Sequence, residues 1–203
     1  MLVNFKRDLE AAHEAERLVQ MYFTILSDSY TFENVSTNPE YYYRGDIVAT
    51  DSSGCRTFIE VKDDSRIADT QNVLCEEKVY YKEQDFFGKG NMQGDTDIYC
   101  VVSQKEKKIY VMDFKVLKEI YKDYGIHKRI EHTDQVTYAY LLPLWVVKQR
   151  GGFIAEIDYG GESPVSKVYN QWKEEAEAIA RRLESIRKWN EFTSQYKNSD
   201  WLH

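Results

Sequence analysis

Two extended segments joined by five turn-forming residues constrain this 203-residue chain more than any other stretch. Tyr41–Thr50 (YYYRGDIVAT) and Arg56–Lys62 (RTFIEVK) are rich in β-branched and aromatic residues, and Asp51-Ser52-Ser53-Gly54-Cys55 lies between them. A three-residue loop, Ser52–Gly54, with Gly54 left-handed, puts Asp51 opposite Cys55 and therefore Asp46 opposite Glu60. Lys62, two residues past Glu60, projects from the same side. Opposed side chains on one face have Cβ atoms about 4.5–5.5 Å apart, so two carboxylates and an ammonium group converge. A loop of two or four residues would instead pair Asp46 with Ile59 and turn the acids to opposite faces. The side-chain pattern favours the first register, in which Ile47 meets Ile59, Ala49 meets Thr57, Gly45 meets Val61, and Val48 meets Phe58 beside the charged trio.

Acids among apolar neighbours need a partner, because an unpaired buried carboxylate costs several kcal/mol or titrates to neutrality. A divalent cation, Mg²⁺ or Mn²⁺, answers that need: carboxylate oxygens are hard ligands and the ion relieves their mutual repulsion. The plain alternative is a surface cross-strand ion pair between Lys62 and either acid, worth a few tenths to about 1 kcal/mol.

The length suits a single α/β domain, with a core expected over about residues 5–125 and a helical extension over about 163–197. A net charge of −7 argues against non-specific attachment to polyanions, so a nucleic-acid substrate would have to be met by a local basic patch or a bound metal. The clusters Lys105-Glu106-Lys107-Lys108, His127-Lys128-Arg129 and Arg181-Arg182 are flanked by acids and suit solvated surface. Sixteen tyrosines can fill a core, an interface or a stacking surface; the run Tyr41-Tyr42-Tyr43 suits either a packed strand or a platform for bases. Cys55, Cys75 and Cys100 are spaced too widely for a zinc knuckle and suit buried, reduced thiols. The first ten residues lack the apolar core of a signal peptide, and the longest apolar run, Tyr138–Val147, is too short to span a bilayer. A soluble, cytoplasmic protein is expected.

Phe5, Leu9, Ala12, Glu16, Val19, Phe23 and Leu26 recur at gaps of four and three, the spacing of one helix face. Glu16 lies in that apolar stripe, either near the same cation or at its edge, paired with Arg17 or Arg66. Further along, Asp63–Thr70 reads as a loop, Asn72–Tyr81 as a third strand and Gly88–Gly94 as a flexible connection. Asp97–Ser103 and Lys108–Asp113 read as a second hairpin. Asp113 suits the N-cap of a helix that runs through Tyr124 and stops at Gly125. Ile126–Asp134 reads as loop, and Gln135–Lys148 is apolar without a clear period. Ser163-Pro164 opens a final helix to about residue 197, whose stripe includes Trp172 and Trp189.

An acid on one strand and Glu-x-Lys on the next, behind a helix carrying a Glu, resembles the PD-(D/E)XK nuclease superfamily. The matching residues are Asp46, Glu60-Val61-Lys62 and Glu16, with Gly45 where the family name has Pro. Ile59–Glu77 also looks like uncharacterised phage and bacterial members, in which a Thr-Gly-Asn-like turn and a strand with a Glu follow; here these are Thr70-Gln71-Asn72 and Glu76, and Gln71 replaces the Gly. The resemblance covers about residues 5–115 and implies a restriction-endonuclease-like fold, a mixed β-sheet core flanked by helices. It implies Mg²⁺ or Mn²⁺ held by Asp46, Glu60 and the Val61 carbonyl, with Lys62 and Glu16 completing the catalytic set and Asn72 and Glu76 as possible additions. It further implies hydrolysis of DNA phosphodiester bonds in a phage, mobile-element, repair or defence setting, and commonly a homodimer. A catalytically silent nuclease-fold scaffold and an RNA-directed nuclease are the alternatives.

Overall fold

The computed structural model describes residues 2–161 and 167, with side chains from residue 9 onward. The chain divides into two compact units, Met1–Gly160 and Gly161–His203. All the elements described belong to the first; the helix expected from Ser163, with Trp172 and Trp189, lies outside the described residues.

Helix α1 (Leu2–Leu26) buries Glu16 and Val19 of the predicted stripe together with Ala15 and Leu18, which lie outside it, while Leu9 and Leu26 of the stripe are exposed: the buried face is turned toward Ala15 and Leu18. Strands β1 (Tyr30–Asn34), β2 (Ile47–Asp51) and β3 (Arg56–Asp63) follow, then the short helix α2 (Ile67–Thr70), β4 (Asn72–Tyr81) and β5 (Phe86–Lys89). After them come β6 (Ile98–Ser103), β7 (Lys108–Asp113), α3 (Phe114–Tyr124), β8 (Ile126–Glu131), β9 (Gln135–Pro143), α4 (Leu144–Gln149) and β10 (Phe153–Asp158). This is an α/β fold with two sheets flanked by helices. One sheet is mixed and ordered β1-β2-β3-β6-β7-β10; the other is antiparallel and ordered β5-β4-β9-β8. None of the described helices is long and apolar enough to cross a membrane.

The β3–β6 pair is parallel, and parallel neighbours cannot be joined by a tight turn. The crossover between them carries α2, β4 and β5, which sets the second sheet beside the end of β3. The two sheets share a core in which Tyr99, Val101 and Met112 pack with Val73, Leu142 and Leu117. Because β9 and β10 complete the sheets, the first unit runs to Gly160, well past the core limit near residue 125 that the sequence suggests.

The second hairpin and the capped helix form as expected. Residues from Ile98↔Asp113 to Ser103↔Lys108 pair in register, and the Asp113 carboxylate accepts the Val116 N–H (3.1 Å). Elsewhere the structure differs. Tyr41–Tyr43 are not in a strand: Asn38 caps a 3-10 turn at Pro39–Tyr41, and β2 begins only at Ile47. Pro39, fixed at helical φ, and the Asn38 cap outweigh the β propensity of the tyrosines. Ile126–Glu131, expected as loop, is β8, an edge strand whose charged residues remain exposed. The Gly88–Gly94 connection is ordered as the end of β5 and a 3-10 turn, Asn91–Gln93. Gly90 crosses so close to β4 that a Cβ there would lie 2.2 Å from the Glu76 carbonyl oxygen. Cys75 and Cys100 are buried, whereas Cys55, in the turn before β3, is exposed.

Candidate active site

The β2–β3 hairpin has the expected register: Ile47 pairs with Ile59, Val48 with Phe58 and Ala49 with Thr57. Gly54 has φ +85°, its N–H bonds the Asp51 carbonyl (3.0 Å), and the Asp51 N–H bonds the Cys55 carbonyl (3.0 Å). The Asp51 carboxylate ties the loop by accepting from the Ser53 and Cys55 N–H groups.

Regular pairing stops one residue short of the expected acid pair. The Asp46 N–H bonds the Ile59 carbonyl (2.9 Å), so Asp46 does not sit squarely opposite Glu60, and Gly45 does not pair with Val61. Gly45 causes the departure. It has φ +138°, and a Cβ on it would lie 2.7 Å from the Ile59 carbonyl oxygen, so only glycine fits. With β2 ended, the Asp46 carboxylate takes the place of a strand partner and accepts the Val61 N–H (2.8 Å).

The two carboxylates are nevertheless close enough for the charge of Asp46 to act on Glu60. Burial, then the charge of Glu16, pushes the Asp46 carboxyl up to about 6, against the opposing pull of the Val61 N–H, Lys62 and His13. Glu60 is pushed up to about 8, mainly by burial and then by Asp46; Glu76 and Glu16 add to it while Lys62 opposes. Glu60 therefore feels three other carboxylates, Asp46, Glu76 and Glu16, against Lys62. Between pH 6 and 8 this corner retains a proton that isolated acids would release.

Lys62 is held by Glu76 of β4, with both carboxylate oxygens 3.2 Å from Nζ. Glu76 is in turn set by Asn91, whose side-chain oxygen accepts the Glu76 N–H (2.9 Å) and whose amide donates to the Tyr99 hydroxyl (2.8 Å). Glu76 thus belongs to the site, a role that the strand pattern alone leaves undecided. Asn72 does not join it: its amide donates to the Thr70 carbonyl (2.7 Å), and it lines a different groove with Arg66, Lys128 and Arg129.

Glu16 is 6 % exposed and accepts hydrogen bonds from Asn34 Nδ2 and Ser36 Oγ, each 2.8 Å. Arg66, one of its expected partners, pairs with Asp64 instead. Asn34, Ser36 and Asn91 went unmarked in the sequence because ordinary polar residues acquire such roles only through the fold. Gln71 closes α2 in the left-handed conformation, φ 51° and ψ 34°.

Among the described residues no three His, Cys, Asp or Glu side chains close into a ready-made metal cage. Mg²⁺ seldom has one; it is usually held by one or two carboxylates and keeps water or phosphate oxygens as its other ligands. The donor set fits that pattern: hard oxygens on Asp46 and Glu60, poorly compensated when ionised. A scan of family models finds none that matches this chain, and neither a search of curated proteins nor one of solved structures returns a significant match.

Proposed function

We propose that this chain is a metal-dependent phosphodiesterase acting on DNA, with a restriction-endonuclease-like core. The observation that carries this reading is the placement of two buried acids, Asp46 held on the Val61 N–H and Glu60 on the same strand, beside a lysine anchored by Glu76, with burial pushing the two carboxyls up to about 6 and about 8. Structural ion pairs do not need acids in excess, whereas a cation site does. The order of helix with Glu16, acid strand, three-residue turn and Glu-x-Lys strand further supports it.

Asp46 and Glu60 would hold Mg²⁺ or Mn²⁺. The Val61 carbonyl is a candidate third ligand, because it shares the strand edge of its N–H, where β2 has ended. Bound there, the cation supplies Lewis-acid polarisation of a phosphate and a water of lowered pKa. Lys62 places its ammonium group against the phosphoryl oxygens, where negative charge grows in the transition state. Glu76 keeps that amine from swinging into solvent, and Glu16, fixed by Asn34 and Ser36, adds negative charge that draws the cation toward Asp46.

The test is cleavage, with Mn²⁺ present, of end-labelled single-stranded, duplex, flapped and four-way-junction DNA, with the matching RNA strands alongside. The wild-type chain should cut at least one DNA substrate. Lys62→Ala should lose about 10²-fold or more in kcat, the usual loss when one donor to a developing oxyanion is removed, with Mn²⁺ affinity kept. Undiminished cleavage by Lys62→Ala would take the lysine out of the mechanism. A wild-type chain inert on every substrate would overturn the reading.

A further inference from the structure

Glu60, Lys62 and Glu76 form one wall of a cavity of about 330 Å³, bounded elsewhere by Tyr42, Tyr43, Tyr81, Gln135 and Thr137. We propose that this cavity receives an unpaired base of a DNA strand whose phosphate lies at the acidic corner, so that the site acts on single-stranded or locally opened DNA. The placement of the phosphate rests on the phosphodiesterase reading; the base pocket itself stands on separate features.

Size comes first. The volume is at the lower end of the range of about 300–1,000 Å³ found for small-ligand sites, suited to one base and too small to take in a helix. The rim is aromatic: Tyr42 is 66 % exposed and Tyr43 59 %. Tyr43 is held in place: its carbonyl accepts the Asp95 N–H (2.6 Å), and Lys89 Nζ lies 4.5 Å from the centre of its ring. An exposed ring held in this way offers a face on which any base can stack. The Lys89 ammonium supplies a positive charge beside it for the sugar-phosphate backbone.

The floor is polar in a selective way. Asn91 and Thr96 also line the cavity, but their side chains are committed to Glu76, Tyr99 and the Phe58 carbonyl. Gln135 and Thr137 on β9, directly across from Tyr81 and Val79 of β4, present an amide and a hydroxyl. Such groups suit the hydrogen-bonding edge of a base. Thr137 is 3 % exposed, so a base that remains stacked in a duplex could not reach it and would have to leave the helix.

The test uses the full chain carrying Glu60→Gln, in EDTA, so that neither metal nor cleavage enters. The probe is a DNA hexamer with 2-aminopurine at its centre, single-stranded or within a hairpin duplex. The single strand should bind at least ten-fold more tightly, with quenched 2-aminopurine fluorescence. Adding Tyr42→Leu and Tyr43→Leu should weaken it roughly five-fold or more, the scale of a lost stacking contact. Both rings are exposed, so circular dichroism should show the fold unchanged. Equal affinity for the two forms, or quenching indifferent to the tyrosines, would overturn the proposal. Quenching without any metal-dependent cleavage by the wild-type chain would leave the base pocket standing and remove the phosphodiesterase. Cleavage without quenching would do the reverse.

Discussion

Two hairpins of the same sheet, β2–β3 and β6–β7, solve the same folding problem in opposite ways. In β6–β7 the pairing runs unbroken from Ile98↔Asp113 to Ser103↔Lys108, and Tyr99, Cys100, Val101 and Val102 are all buried opposite Ile109 to Met112. In β2–β3 the pairing breaks at Gly45, and Asp46, Glu60 and Lys62 occupy positions that a structural strand would fill with apolar side chains. Yet Lys62 is the lateral neighbour of Val101. The buried charges Asp46 and Glu60 gather where β2 no longer pairs with β3 and a backbone N–H is left for a carboxylate to accept.

The largest expected effect comes from forcing the charged solution onto the apolar hairpin. Val111→Asp should cost about 4 kcal/mol or more, or prevent folding, because its strand neighbours, Cys100 and Ala155, offer no partner to a new carboxylate; urea denaturation measures it. A loss below about 1 kcal/mol would mean that this sheet accepts acids anywhere, and the special status of β3 would disappear.

Next in size is Gly45→Ala. With φ +138° and the Ile59 carbonyl oxygen 2.7 Å from the added carbon, a loss of about 2 kcal/mol or more is expected in the same assay. Calorimetric Mn²⁺ affinity should fall with it, since Gly45 sets the position of Asp46. An unstrained alanine variant would contradict the break as the cause of Asp46's placement.

Removing charge from the acidic corner should act in the other direction. The Glu60 carboxyl titrates near 4.5 in the unfolded chain and about 8 in the folded one. The native state therefore keeps a proton that the unfolded state releases, and metal-free stability falls as pH rises from about 4.5 to 8. Glu60→Gln cannot ionise and should be more stable than wild type at pH 8 in EDTA, by on the order of 1–2 kcal/mol. The gain should shrink toward pH 5. Thermal melts at the two pH values decide it, and a gain independent of pH would show that Glu60 carries no uncompensated charge.

The smallest effect concerns thiols, one in the first hairpin's turn and one in the second hairpin's strand. Cys55 is exposed and should react rapidly with a disulfide reagent. Cys100 and Cys75 are buried, the latter with its thiol pushed up to about 12 by burial, and should react only as the chain opens. Fast labelling of more than one thiol in the native chain would show β6 to be less enclosed than described.

What could be read from the residues was what local chemistry decides. Ser52–Gly54 set the hairpin register, Asp113 marked its helix, and the alternation around Ile59 placed Glu60 and Lys62 together. Asp46 missed its expected partner because the break depends on how Gly45 meets the Ile59 backbone, a long-range contact without a sequence pattern. Strand β8 was hidden for a related reason: an edge strand with exposed charges has no buried face to impose a period. Glu76 could not be assigned until β4 was placed, and β4 is placed by the parallel crossover. Cys55 was expected to be buried on residue type alone, and its turn exposes it.

The most direct measurement is titration calorimetry of Mn²⁺ into the wild-type chain at pH 7, in two buffers of different ionisation enthalpy. A shared site on Asp46 and Glu60 predicts saturable binding that releases a proton, since Glu60 must ionise to become a ligand. Asp46→Asn and Glu60→Gln should each lose most of that affinity, and Glu60→Gln the proton release as well. Binding that is unaffected by either substitution, or no binding at all, would mean that these two acids are not held together to take a metal ion.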